Sequence, residues 1–138
     1  MTWNDKVRIA VGAITLDLPA ALIRAHGRSV DSASGVFGAN GLVVNVDNGP
    51  FADRLDSYAG SDEYSDRIAT FAGATGRLVS CRARDGRTHI TAFHARTPRV
   101  FTVVTHADGA VPPSVVEDIF HSLRLSSDRL DEEHDVDP

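Results

Sequence analysis

The sequence predicts an α+β domain: a largely antiparallel β-sheet of about six strands, packed with a C-terminal helix and one or two short helices. Three observations lead there. Period-two apolar segments recur between residues 7 and 106. Two of them flank Asn40-Gly41 and two flank Asp85-Gly86, pairs that favour tight hairpin turns. The final apolar segment, opened by Pro112-Pro113, changes to helical spacing.

Val7 to Val11 and Ile14 to Leu18 read as strands separated by Gly12, and Pro19 stops the second because it cannot donate to a ladder. Ala20 to Gly27 is expected to form a short helical turn. Val36 to Ala39 and Leu42 to Val46 form the hairpin around Asn40-Gly41, whose residues tolerate the positive φ angles of a type I′ turn. Phe51, Leu55 and Tyr58 recur at helical spacing before Gly60, which suggests a short helix or a wrapped loop. Ser61 to Ala72 fits either a helix or a strand; a strand from about Arg67 to Ala72, ended by Gly73, is the favoured reading.

Leu78 to Arg84, Arg87 to Ala95 and Val100 to His106 form a meander, with Thr97-Pro98 in the second connection. Tight turns would set Arg84 opposite Arg87, Arg82 opposite His89, Leu78 opposite Phe93, Phe93 opposite Thr102 and His89 opposite His106. One face then carries Val79, Cys81, Ala83, Ile90, Ala92, Phe101 and Val103, and is expected to be core. The other carries Leu78, Ser80, Arg82, His89, Thr91, Phe93, Thr102, Val104 and His106, apolar at one end and polar at the other. Val115, Val116, Ile119, Phe120 and Leu123 give the last helix an apolar stripe, with Leu125 as an anchor beyond it.

The chain has 138 residues, about one domain, placed at 1–126. Residues 127–138 hold six acids against Arg129, which accounts for the whole net charge of −5, and have no apolar period, so they read as a disordered acidic tail. Deleting them is expected to leave the melting temperature unchanged; loss of a cooperative melt would place the tail within the fold. The neutral body still segregates its charge along the chain. Asp47, Asp53, Asp56, Asp62, Glu63 and Asp66 form an acidic stretch, and Arg77, Arg82, Arg84, Arg87, Arg96 and Arg99 a basic one. Those stretches either orient a charged partner or satisfy each other and water. The acidic total argues against a general nucleic-acid partner, and no apolar run is long enough to span a membrane.

The run Ile14-Thr15-Leu16-Asp17-Leu18-Pro19, the Asn40-Gly41 hairpin, the Gly73 turn, the meander and Ile119-Phe120-His121-Ser122-Leu123-Arg124-Leu125 together resemble the PsbP-like fold group over residues 7–125. That group includes a photosystem II extrinsic subunit, a Ran-binding import factor, bacterial lipoproteins and chaperones of type VI secretion effectors. The resemblance implies non-catalytic binding of a protein partner, as an adaptor or chaperone-like module. Apart from the resemblance, a homodimer is also open. The chain shows no export leader or lipidation cysteine, so a cytoplasmic location is expected.

No P-loop, nucleophile elbow or zinc-protease motif occurs, and no cofactor or catalytic residue is expected. The sharpest constellation is Arg82, His89 and His106, expected side by side across three strands. A guanidinium beside two imidazoles suits a carboxylate or phosphate, which makes small-ligand or anion binding the alternative function. No third ligand is positioned for a metal. His94 reads as a satisfied, partly buried histidine opposite Phe101, and Cys81 as an inert buried thiol.

Overall fold

The computed structural model describes residues 3–25, 34–50 and 52–125. The acidic tail, Phe51, and the His26 and Gly27 end of the expected helical turn lie outside the described residues. Among the described residues ten strands form two antiparallel sheets with one α-helix, where the sequence suggested about six strands in one sheet with a C-terminal helix and one or two short helices. A three-stranded sheet joins β1 (Lys6–Val11), β2 (Ile14–Pro19) and β10 (Arg124–Leu125), with β2 in the middle. The other strands are β3 (Ile23–Arg24), β4 (Ser34–Ala39), β5 (Leu42–Asn48), β6 (Asp62–Phe71), β7 (Ala74–Arg82), β8 (His89–Thr97) and β9 (Phe101–Ala107). They form a seven-stranded sheet in the order β3-β4-β5-β9-β8-β7-β6. Strands β3 and β10 are each two residues long, too short for a period of two to be legible.

Ala20 to Arg24 corrects the expected helical turn. Leu22 N–H closes a turn on the Pro19 carbonyl at 3.0 Å, and Ile23 and Arg24 then pair with Gly38 and Phe37. The Arg24 guanidinium lies 5.3 Å from the Phe37 ring centre, a stacking partner that a helix would not have supplied. The Asn40-Gly41 hairpin forms as expected, with φ of 54° and 86° at the two turn residues. Within Ser61 to Ala72 the structure has the strand β6 (Asp62–Phe71), beginning earlier than Arg67, with a bulge between Asp62 and Ser65.

The β7–β8 register agrees with the sequence: Arg82 faces His89 and Leu78 faces Phe93. Its turn is shifted, because Gly86 N–H bonds the Ala83 carbonyl and Gly86 takes φ 74°, so Arg84 and Asp85 occupy the corner. Asp85 fastens that corner by accepting from Arg87 N–H, Thr88 N–H and the Thr88 hydroxyl, which lowers its carboxyl pKa to about 2. The β8–β9 register is a correction. Phe93 faces Val103, His89 faces Ala107 and Ile90 faces His106. The ladder closes at Ala95 and Phe101, leaving an odd run centred on Pro98 rather than an even turn at Thr97-Pro98. One residue of slip turns every β9 side chain to the other face.

The two faces therefore differ from the expected ones. Phe93, Phe101 and Val103 join Phe37, Leu42, Val44, Val46 and Leu78 in the main core. That core is closed by Ile14, Leu16 and Leu18 of β2 and by the apolar stripe of helix α1 (Pro113–His121). Full burial of each such side chain contributes about 1.5–3 kcal/mol. Pro113 opens α1 at a first-turn position, where its missing N–H costs no helical bond. The helix end is tied to the small sheet: the Ser122 hydroxyl accepts from Asp17 N–H at 2.8 Å and donates to the Ile119 carbonyl. On the opposite face Val79, Cys81, Ile90, Ala92 and Val104 make a smaller core, capped by Leu55 and Tyr58 around a 3-10 turn at Asp56–Tyr58.

Gly76 marks a close approach of β7 to β8, where a bulge separates Thr75 from Gly76. A methyl group there would overlap the backbone carbonyl of His94 and the Cα of Ala95, neither of which is free to move. Gly76→Ala is expected to lose about 1–3 kcal/mol, read as a lower urea midpoint at constant slope. An unchanged midpoint would show that the bulge relaxes freely.

Candidate functional site

On the main-core face, α1 covers only part of the sheet formed by β6, β7 and β8. What it leaves open is a groove of about 920 Å³. Strand register sets its floor in rows. Phe71, Ala69 and Leu78 lie at the helix-covered end, where Val116 and Phe120 form the wall. Phe71 stacks edge-on against Phe93 at 4.9 Å and lies 5.7 Å from Phe120. The next row is hydroxylic: Ser65 faces Ser80, Ser80 faces Thr91 and Thr91 faces Thr105. The Ser65 and Ser80 oxygens are 3.0 Å apart, and the Thr105 hydroxyl donates to the Thr91 carbonyl at 3.0 Å. One row further stand Arg82 and His89, with Arg87 at the hairpin tip. Apolar, hydroxylic and basic zones thus succeed one another along β7 from Gly76 to Arg82, about 20 Å at roughly 3.3 Å per residue.

The structure brings Arg82 and His89 together at this groove and separates His106 from them. His106 lies on the opposite face, beside Asn45, Tyr58 and Val104 in a hollow of about 290 Å³, and burial pushes its imidazole pKa down. The register slip at Pro98 is the cause. Arg82 is also already engaged: its Nε and Nη2 donate to the two Glu63 carboxylate oxygens at 3.0 and 3.1 Å. That fork holds the Glu63 carboxyl below its ordinary range. Arg67 and Arg87 make no ion pair among the described residues, and both line the groove with Asp108 and Glu117 opposite.

The acidic and basic stretches that are separate in sequence meet in space. Arg77 reaches Asp56 at 2.7 Å and Asp66 at 2.9 Å, which lowers both carboxyl pKa values and raises that of the guanidinium. Arg82 with Glu63 repeats the pattern. Antiparallel pairing of β6 with β7 brings the two stretches side by side, and Arg77 and Arg82 are engaged with Asp56, Asp66 and Glu63.

His94 faces Thr102 rather than Phe101, and is 6% exposed. The Thr102 hydroxyl donates to the Asp53 carbonyl at 2.6 Å, so the proton in the 2.8 Å contact with His94 belongs to the imidazole Nδ1. Nε2 is then the bare nitrogen, and it is buried with no partner among the described residues, so the expectation of a fully satisfied ring is corrected. Burial, with Arg96 and Arg54 nearby, pushes the His94 pKa down. Cys81 is fully buried as expected, and that burial pushes its thiol pKa up.

The sequence singled out Arg82 and His89 among the groove residues. It missed Arg67, Arg87, Val116 and Phe120 as groove residues. A tight turn at Ala72-Gly73 sets Arg67 opposite Leu78 once Ser61 to Ala72 is read as strand, but where α1 lies along the sheet has no local signal. Among the described residues no helix is long and apolar enough to cross a membrane. Comparison with protein-family models and with curated proteins finds no match to this chain.

Proposed function

We propose that this domain is a non-catalytic small-ligand-binding module whose site is the groove between α1 and the β6–β7–β8 half-sheet, with His89, Arg87 and the Glu63-held Arg82 at its polar end. The carrying observation is the groove itself. Its volume of about 920 Å³ falls within the roughly 300–1,000 Å³ of small-molecule sites, and its mixed lining joins an apolar patch of Phe71, Leu78, Val116 and Phe120 to a polar end at Arg82, Arg87 and His89. His106 has no part in this reading. Amide NMR spectra recorded while a panel of small carboxylates and phosphates is added test it. Saturable shifts confined to Ser80, Arg82, His89, Thr91 and Val116 support the proposal; an unchanged spectrum, or shifts scattered over the surface, overturns it.

A second reading, a protein-binding adaptor, draws support from a different surface. The long strand β6 ends the seven-stranded sheet with Ile68 72% exposed, and an unpaired edge accepts an added strand. Ile23, Val36 and Val43 are also exposed together on the outer face of β3–β4–β5. The resemblance to the PsbP-like fold group favours this reading, and a homodimer through β6 is its simplest form. Sedimentation of the wild type beside Ile68→Lys distinguishes it: a dimer lost in the variant supports β6 pairing, and a monomer in both removes that form.

A further inference from the structure

The geometry points to an amphipathic monocarboxylate, an unbranched acyl chain ending in a single carboxylate, as the ligand class of this groove; this rests on the small-ligand reading above. The order of the floor carries the inference. An aliphatic tail fits the Leu78, Phe71, Val116 and Phe120 end, where it removes apolar surface from water. A carboxylate at the far end meets Arg87 and His89, with the Ser80 and Thr91 hydroxyls one row inward as donors. Neither a purely polar anion nor a plain alkane uses both ends.

The charge balance selects a single negative charge. At the polar end Arg82 is held by Glu63, so Arg87 is the guanidinium without an ion pair there among the described residues. Arg67 stands on the Leu78 row, about 13 Å back along the strand. Asp108 and Glu117 line the side formed by α1 and its preceding loop, and Asp108 already accepts from Ala110 N–H at 2.8 Å. A doubly charged phosphate would gain one guanidinium and face both carboxylates. A monocarboxylate gains the same bidentate contact with less repulsion.

Isothermal titration of the full chain with acetate, hexanoate, decanoate, decanol and inorganic phosphate tests this. Affinity is expected to rise roughly four-fold per buried methylene until the apolar end is filled, so decanoate binds at least ten-fold more tightly than hexanoate. Arg87→Gln, at an exposed tip, and Ser80→Phe, which fills the floor while suiting a strand, should each weaken decanoate at least five-fold with unchanged melting. Binding of decanol as tight as decanoate overturns the head-group assignment. Phosphate binding with decanoate no tighter than acetate overturns the acyl class yet leaves the groove as an anion site. Silence from every ligand removes both this inference and the small-ligand reading.

Discussion

Phe93→Ala is expected to destabilise the domain by about 3–5 kcal/mol, the range for an aromatic removed from a packed core. Phe93 is fully buried, edge-on to Phe71 at 4.9 Å and to Phe101 at 5.8 Å. Its removal withdraws support from the strand that carries Leu78 and from the ring that lines the apolar end of the groove. Chemical denaturation should show a lower midpoint, with a melting temperature reduced by about 10 °C or more. Phe93→Leu, which keeps most of the volume, should recover over half of the loss. Equal loss in the two variants would mean that the ring geometry, and not the cavity, sets the cost.

The second large effect concerns the contact that holds the Asp53 to Tyr58 segment over the smaller core. Thr102→Val leaves the His94 Nδ1 proton and the Asp53 carbonyl without their shared partner, at a cost of about 1–3 kcal/mol. The same geometry makes stability depend on pH. His94 and His106 both have folded pKa values below the unfolded value of 6.5. Their neutral forms are favoured in the fold, so this contribution is fully present above the unfolded pKa. It falls as pH drops below that value toward the folded pKa, because the unfolded chain then binds more protons. Protonation of His94 would also place a new N–H at Nε2, where no acceptor lies among the described residues. Urea midpoints measured between pH 8 and pH 5 should therefore decline through about pH 6.5. His94→Gln should remove the His94 share of that slope and leave the share of His106, and a slope unchanged in this variant would assign it elsewhere.

Some of this was legible locally. Asn40-Gly41 specifies its hairpin because only certain residues accept two successive positive φ angles, and the structure has them there. The period of two across Leu78, Ser80 and Arg82 against His89, Thr91 and Phe93 puts Arg82 beside His89, and the observed register agrees. The helical spacing from Val115 to Leu123 likewise gives α1 its buried stripe. In each case the information lies within a few residues of where it acts.

His106 shows the limit. Its expected place beside His89 depended on whether the connection at Pro98 holds an odd or an even number of residues, and a Thr-Pro pair is compatible with both. Packing decides: the observed register buries Phe101 and Val103 against β2 and α1, whereas a slip would turn them to the face capped by Leu55 and Tyr58. The pairing of Arg77 with Asp56 and Asp66, and of Arg82 with Glu63, is likewise a product of which strands become neighbours. By itself the sequence determined the largely antiparallel, hairpin-rich sheet with its C-terminal helix and the Arg82–His89 neighbourhood, because turn chemistry and side-chain alternation act locally. Only the tertiary structure decided that α1 leaves part of the β6–β7–β8 sheet open, that Arg67, Arg87 and Phe120 line one groove, and that His106 faces away. Those outcomes depend on contacts between segments far apart in the chain, for which no local pattern exists.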